Sequence, residues 1–131
     1  MTAATSVAEH AKRLAERAGE VALCLDFDGT LSPIVDDPQA ARPLPAIVEL
    51  LEPLADRFAA VALVSGRPAA YLAEHAPGPG VRYLGLYGLQ EIHDGQVRVD
   101  QRLEVARPKV VAAAEALRDA PAVRDSGAWL E

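Results

Sequence analysis

The sequence predicts an α/β fold, a mainly parallel sheet flanked by helices, and three observations point to it. Two short, unbroken apolar runs, VALCL (21–25) and AVALV (60–64), have the length and uniformity of buried parallel strands. A third strand-like segment, VRYLGL (81–86), follows at a similar interval. The stretches between them carry apolar residues at helical spacing, and strands alternating with helices pack as a sheet covered by helices.

Each element has its own signal. Residues 3–19 place Val7, Leu14 and several alanines among charges, an amphipathic helix with Gly19 as its expected stop. After VALCL, residues 32–45 hold four prolines and the Asp36–Asp37–Pro38 turn signal, and read as a loop. Residues 45–59 regain helical spacing through Ile47, Leu50, Leu51, Leu54 and Phe58. Pro45 suits the first helical turn, whereas Pro53 is expected to kink or split the helix. AVALV ends on Ser65–Gly66–Arg67, Pro68 opens a helix to about His75, and PGPG (77–80) closes it. Residues 90–100 alternate around Asp94–Gly95, a two-residue hairpin signal. The alanine-rich run from Pro108 to about Arg118 reads as a helix, and SGAWLE (126–131) as the opening of another strand.

At 131 residues the chain suits one domain of ordinary size, with half its residues hydrophobic and only six aromatic. A formal net charge of −6 excludes a polybasic surface, so neither nucleic acid nor an anionic membrane is an expected partner. An acidic protein that handles an anionic substrate needs a metal or a local cationic patch. Cys24 is the only cysteine, which rules out an internal disulfide and fits a reducing cytosol. Its place within VALCL predicts a buried, inert thiol. No run approaches the roughly 18 apolar residues of a membrane span, and the amino terminus has no long apolar core, so a cytoplasmic location is expected. His10, His75 and His93 have no spaced partner and read as surface residues, as do Lys12 and Lys109. Trp129 reads as a packing residue first and as one that faces sugar second. Oligomeric state is open.

The chemistry concentrates in LCLDFDGTLSPIV (23–35). Ligands of open α/β sheets bind outside the carboxyl ends of the strands, and here one strand ends in Asp26-Phe27-Asp28-Gly29-Thr30 and the next in Ser65-Gly66-Arg67. Asp26 and Asp28 share a face if the strand continues, and two carboxylates that close call for a compensating cation or a shared proton. An isolated D-x-D also serves as a turn cap, but a second polar strand end on the same rim favours chemistry. A carboxylate at position 26 can bind Mg²⁺ or attack an electrophilic phosphorus. Asp28 can protonate a leaving alcohol and later accept a proton from water. Gly29 lets backbone approach a ligand, and Ser65 with the amides after it can hold phosphate oxygens.

DFDGTL after VALCL resembles the first motif of the haloacid dehalogenase superfamily, and VALVSGR resembles its second. LCLDFDGTLSPIVDDPQAA, VSGRP, LGLYGLQEIHDGQV and GAWLE are similar to segments of trehalose-6-phosphate phosphatases. The resemblance covers roughly residues 20–131. It implies a Rossmann-like core, Mg²⁺ dependence and an aspartyl-phosphate intermediate on Asp26. Asp28 would be the general acid/base and would also lend the metal its main-chain carbonyl. Thr30 would support the loop through hydrogen bonding, Ser65 would bind the phosphoryl group, and Gly66 and Arg67 would extend that motif. Arg67 is readable either as a substrate contact or as a salt-bridging arginine. Tyr87 stands before Gly88 where many relatives carry histidine.

The superfamily's reaction also needs a lysine and a later acidic motif, usually Gly-Asp, and neither is assignable here. The resemblance therefore implies the first half of a phosphatase core over residues 1–105, with the beginning of an α+β cap over 106–131. The expected protein is an incomplete phosphatase with little turnover of its own. The expected substrate class is a sugar phosphate, trehalose 6-phosphate first. Sucrose phosphate and glucosyl- or mannosyl-phosphoglycerate are alternatives, as is a non-catalytic remnant of the fold.

Overall fold

The computed structural model describes residues 6–93, 95–118 and 120–126. They fall into two compact units, Met1–Arg98 and Val99–Glu131. The first holds α1 (Val7–Glu16), β1 (Ala22–Leu25), α2 (Pro45–Arg57), β2 (Ala60–Val64), α3 (Ala69–His75), β3 (Val81–Gly85), β4 (Gln90–His93) and most of β5 (Gln96–Val99). The second holds α4 (Gln101–Arg118) and α5 (Pro121–Ser126).

The five strands form one mixed sheet in the order β1-β2-β3-β4-β5. β1, β2 and β3 are parallel, in registers that set Leu25 beside Leu63 and Leu63 beside Tyr83. β3 and β4 run antiparallel, with Leu84 beside Glu91. Side chains alternate across the sheet, so Val61, Leu63, Val81 and Tyr83 share one buried face. Leu51 of α2, Ala69 and Leu72 of α3 and Ala76 just after it complete that core, and Phe27 and Leu31 close it at the carboxyl ends of the strands. The Tyr83 hydroxyl accepts from the Gly78 N–H at 2.8 Å and donates to the Ala76 carbonyl at 3.1 Å. Burial pushes its phenol up, and the Gly78 bond offsets part of that shift.

Several expectations need correction. Among the described residues β1 is an edge strand, and its Ala22 and Cys24 are exposed, so the thiol is not buried. Among the described residues, β1 pairs with β2 alone, and Cys24 is exposed although its register partner Ala62 is buried. Pro53 does not split α2. It lies on the solvent side with Glu49, whose carbonyl loses a helical N–H partner where water can replace it. The first helix stops at Glu16 rather than Gly19, and a 3₁₀ turn over Ala18–Glu20 leads into β1.

His75 is no surface residue: its side chain is 11% exposed. Helix α4 starts seven residues before Pro108, because Asp100 caps it. The Asp100 carboxylate accepts from the Arg102 backbone N–H at 2.8 Å and from the Arg102 guanidinium, which pulls its carboxyl down to about 2. Ser126 is helical, and the rest of the SGAWLE segment, Trp129 included, lies outside the described residues.

One close approach fixes how α3 meets the sheet. A β-carbon at Gly85 would overlap the backbone nitrogen of Ala69 and come within 2.7 Å of the Arg67 carbonyl oxygen. Backbone cannot yield as a flexible side chain does, so Gly85→Ala is expected to cost about 2–3 kcal/mol or to prevent folding. Gly19→Ala, where a β-carbon meets nothing within 4 Å, should stay within about 0.5 kcal/mol of the parent. Urea unfolding followed by circular dichroism checks both. Equal stability for the two variants would contradict the close approach.

Candidate active site

The loop after β1 is built around Phe27. Its ring is fully buried, and its carbonyl accepts the N–H groups of Thr30, Leu31 and Ser32 at 3.3, 2.9 and 2.9 Å. Gly29 N–H adds a bond to the Ser32 carbonyl at 2.7 Å. This compact turn leaves Asp26 and Asp28 exposed on either side of a buried anchor. The strand itself ends at Leu25, yet the in–out alternation persists through Asp28. Asp26 Oδ1 accepts the neighbouring Phe27 N–H at 2.7 Å. Thr30 is exposed, and its backbone N–H belongs to the Phe27 hub.

The loop after β2 reaches the same edge of the sheet, since Leu25 and Leu63 are register partners one and two residues before the two chains leave the ladder. Ser65 is buried; its N–H donates to the Leu84 carbonyl at 3.1 Å and its Oγ accepts from the Arg67 N–H at 3.3 Å. The Arg67 guanidinium then crosses to the first loop and grips Asp28 with both prongs, Nε to Oδ2 and Nη2 to Oδ1, each at 2.7 Å. Such a fork is stronger and more directional than a single contact. Structure thus favours the salt-bridging reading of Arg67 over a substrate contact.

Arg67 is itself held. Its side chain is 15% exposed, with the guanidinium carbon 4.6 Å from the Tyr71 ring centre and 5.4 Å from that of Phe27. Tyr71 donates its hydroxyl to the Ala41 carbonyl at 2.7 Å, meets Phe27 edge-on at 5.7 Å, and stacks on His75 at 4.1 Å. The signal for this stack was present in the sequence: Tyr71 and His75 stand four residues apart on one face of α3, and Arg67 lies four residues before Tyr71, just ahead of the helix.

A third segment joins the rim. Leu86, Tyr87 and Gly88 all have positive φ, at 49°, 55° and 87°. For Leu and Tyr that conformation costs roughly 1–2 kcal/mol per residue. Two backbone bonds hold it against the second loop, Leu86 N–H to the Arg67 carbonyl at 3.0 Å and Tyr87 N–H to the Ser65 carbonyl at 2.9 Å. The Tyr87 ring lies over Gly66, where a β-carbon would stand 2.7 Å from the phenol oxygen. Gly66 therefore makes room for this ring.

Oxygen donors suited to a hard cation are present, but the described residues do not complete a shell. Asp26 offers a carboxylate and Asp28 a main-chain carbonyl, while the Asp28 carboxylate is taken by Arg67. Among the described residues, no three His, Cys, Asp or Glu side chains are grouped so as to hold a metal.

The mixed sheet that brings a D-x-D turn and a Ser-Gly-Arg loop to one edge is the α/β fold of trehalose-6-phosphate phosphatase structures. Similar folds occur in a trehalose-6-phosphate phosphatase related protein (TM-score 0.63, 23% identity, 80% of this chain and 44% of that one). Another is trehalose-6-phosphate phosphatase of Aspergillus fumigatus (TM-score 0.57, 25% identity, 80% and 41%). The trehalose-phosphatase family model matches residues 24–117, and the chain belongs to that family. The trehalose-phosphate phosphatase of Mycobacterium leprae is 41% identical over 103 residues, 78% of this chain and 24% of the relative. That of Mycobacterium ulcerans is 40% identical over 99 residues, 75% and 25%. The chain thus spans about a quarter of the length of the curated relatives it matches.

The Asp28–Arg67 fork is expected to show a coupling of about 1–2 kcal/mol in a double-mutant cycle of Asp28→Ala and Arg67→Ala, read by urea unfolding. Arg67→Lys should recover little of it, because an ammonium neither forks nor stacks as a guanidinium does. Additivity of the two single variants would contradict the contact.

Proposed function

We propose that residues 24–117 are the nucleophile-bearing part of a Mg²⁺-dependent phosphatase that hydrolyses trehalose 6-phosphate to trehalose and phosphate. The observation that carries this reading is the joining of two strand ends at one sheet edge: Asp26 and Asp28 follow β1, Ser65 follows β2, and Arg67 links Asp28 to Ser65. The family supports the substrate, through relatives described as trehalose-phosphate phosphatases.

In this reading an Asp26 carboxylate oxygen attacks phosphorus and the bond from phosphorus to the sugar oxygen breaks. With one prong of the Arg67 fork released, that oxygen of the Asp28 carboxyl carries a proton and gives it to the departing oxygen, which leaves as the sugar hydroxyl. Water then attacks the aspartyl phosphate and passes a proton to Asp28, so that phosphate departs and Asp26 is restored. Ser65 and the backbone amides after it hold phosphoryl oxygens. Thr30 steadies the turn, Gly66 leaves space beside the second loop, and Arg67 keeps Asp28 facing that loop. Bound Mg²⁺ offsets repulsion between carboxylate and phosphate, with the Asp26 carboxylate and the Asp28 carbonyl as the part of its shell supplied here.

We further assign the region from about residue 106 onward to the start of a cap, a reading supported by the compact helical unit that begins at Val99. A cytoplasmic setting agrees with the lone Cys24, and no described helix is long and apolar enough to cross a membrane.

The test is to place residues 24–117 in the matching segment of the Mycobacterium leprae relative and to measure phosphate release from trehalose 6-phosphate, sucrose 6-phosphate and glucosyl-phosphoglycerate. Trehalose 6-phosphate is the expected substrate, and Asp26→Asn should lower its turnover by at least about 10³-fold. Residues 1–131 alone should release little phosphate, because the described residues leave the metal shell open. A folded chimera without phosphatase activity would favour a non-catalytic binding role. A chimera that prefers another ester would move the substrate.

A further inference from the structure

We propose that Tyr87 is a substrate-contact residue: its ring is a shelf for the sugar of a phosphorylated sugar whose phosphoryl group lies at the Ser65–Arg67 loop. This rests on the phosphatase reading above and names the part of the site that reads the sugar.

Three observations carry it. Tyr87 is 86% exposed, so its ring gains almost nothing from burial within the described fold. It nevertheless occupies a left-handed conformation beside Leu86, which is also left-handed, and a non-glycine residue keeps such a conformation only where the surroundings impose it. The surroundings that impose it are the second loop itself, through the Tyr87 N–H bond to the Ser65 carbonyl and the Leu86 N–H bond to the Arg67 carbonyl. The backbone of the rim thus spends strain to hold an aromatic ring in solvent, directly over Gly66 and next to the residues that would hold phosphate.

If Tyr87 served the fold, its ring would be expected in the core, where Tyr71 and Tyr83 pack and find hydrogen-bond partners. An exposed aromatic at a binding rim suits a ligand with an apolar face and a hydroxylated edge. A pyranose ring offers both: its C–H face can lie on the phenol ring and its hydroxyls can meet the Tyr87 hydroxyl. Gly66 belongs to the same device, because any side chain there would push the ring off the loop.

The test uses residues 1–131 labelled with ¹⁵N and titrated, with Mg²⁺ present, against inorganic phosphate, trehalose and trehalose 6-phosphate. Backbone amides of Ser65, Gly66, Arg67 and Tyr87 are followed by NMR. Trehalose 6-phosphate is expected to bind roughly 3–10-fold more tightly than phosphate and to shift the Tyr87 amide. Tyr87→Ala should remove that advantage and leave phosphate binding at the Ser65 amide, while Tyr87→Phe should keep most of it.

A second readout separates contact from structure. Tyr87→Asn, which tolerates the left-handed conformation better, should unfold at the same or a higher temperature and still lose the sugar advantage. Equal affinity for trehalose 6-phosphate in the parent and Tyr87→Ala, or a Tyr87 amide that does not respond, overturns the proposal. So does a fall in the unfolding temperature of Tyr87→Asn. Phosphate binding without a sugar advantage rejects the shelf alone, whereas silence at Ser65 towards phosphate rejects the phosphatase reading with it.

Discussion

Parallel pairing of β1 with β2 is the constraint on which the rest of the site depends. Once Leu25 stands beside Leu63, both chains leave the sheet at the same edge within two residues of each other. The period-two alternation then assigns the next side chains: Phe27 and Ser65 continue the buried face, and Asp26 continues the face that carries the exposed Cys24. A slip of one residue would bury the aspartates and expose Phe27. Burial of the Phe27 ring opposes that slip, and so does the hub of three N–H groups on its carbonyl.

Rigidity and exposure are divided between neighbours. Phe27, Tyr71 and His75 form a packed aromatic floor, and Arg67 lies across it to grip Asp28. Tyr71 is fixed to the Ala41 carbonyl, so the loop before α2 also feeds into the position of Arg67. A carboxylate held in this way keeps its orientation without burying itself, which suits a group that must meet both ligand and water. Across the rim, the left-handed turn at Leu86 and Tyr87 supplies the opposite quality, an exposed ring on a strained but hydrogen-bonded support.

Much of this was legible in the sequence because it depends on local patterns. Apolar runs marked β1 and β2, Gly95 marked the hairpin between β4 and β5, and the polar strand ends marked the rim. What was not legible depends on tertiary neighbours. Cys24 is exposed on a strand that lies at the edge of the sheet among the described residues, and nothing within VALCL encodes that place. The continuity of α2 through Pro53 follows from which side of the helix faces water. The early start of α4 was readable in principle from Asp100 as a cap, but Pro108 was the louder signal. At the site, the sequence singled out Asp26, Asp28 and Ser65, while the partner of Arg67 had to wait for the fold. The left-handed backbone of Tyr87 had no sequence signal beyond the following glycine.

The proposed chemistry rests on the side chain at position 26 as the acceptor of the phosphoryl group. The most direct measurement is to quench the chimera during turnover of trehalose 6-phosphate, reduce it with borohydride and map the product by mass spectrometry. An acyl phosphate at Asp26 would be reduced to homoserine at that position, only when substrate is present and not in Asp26→Asn. Reduction at Asp28 instead, or turnover with residue 26 unmodified, would contradict the claim.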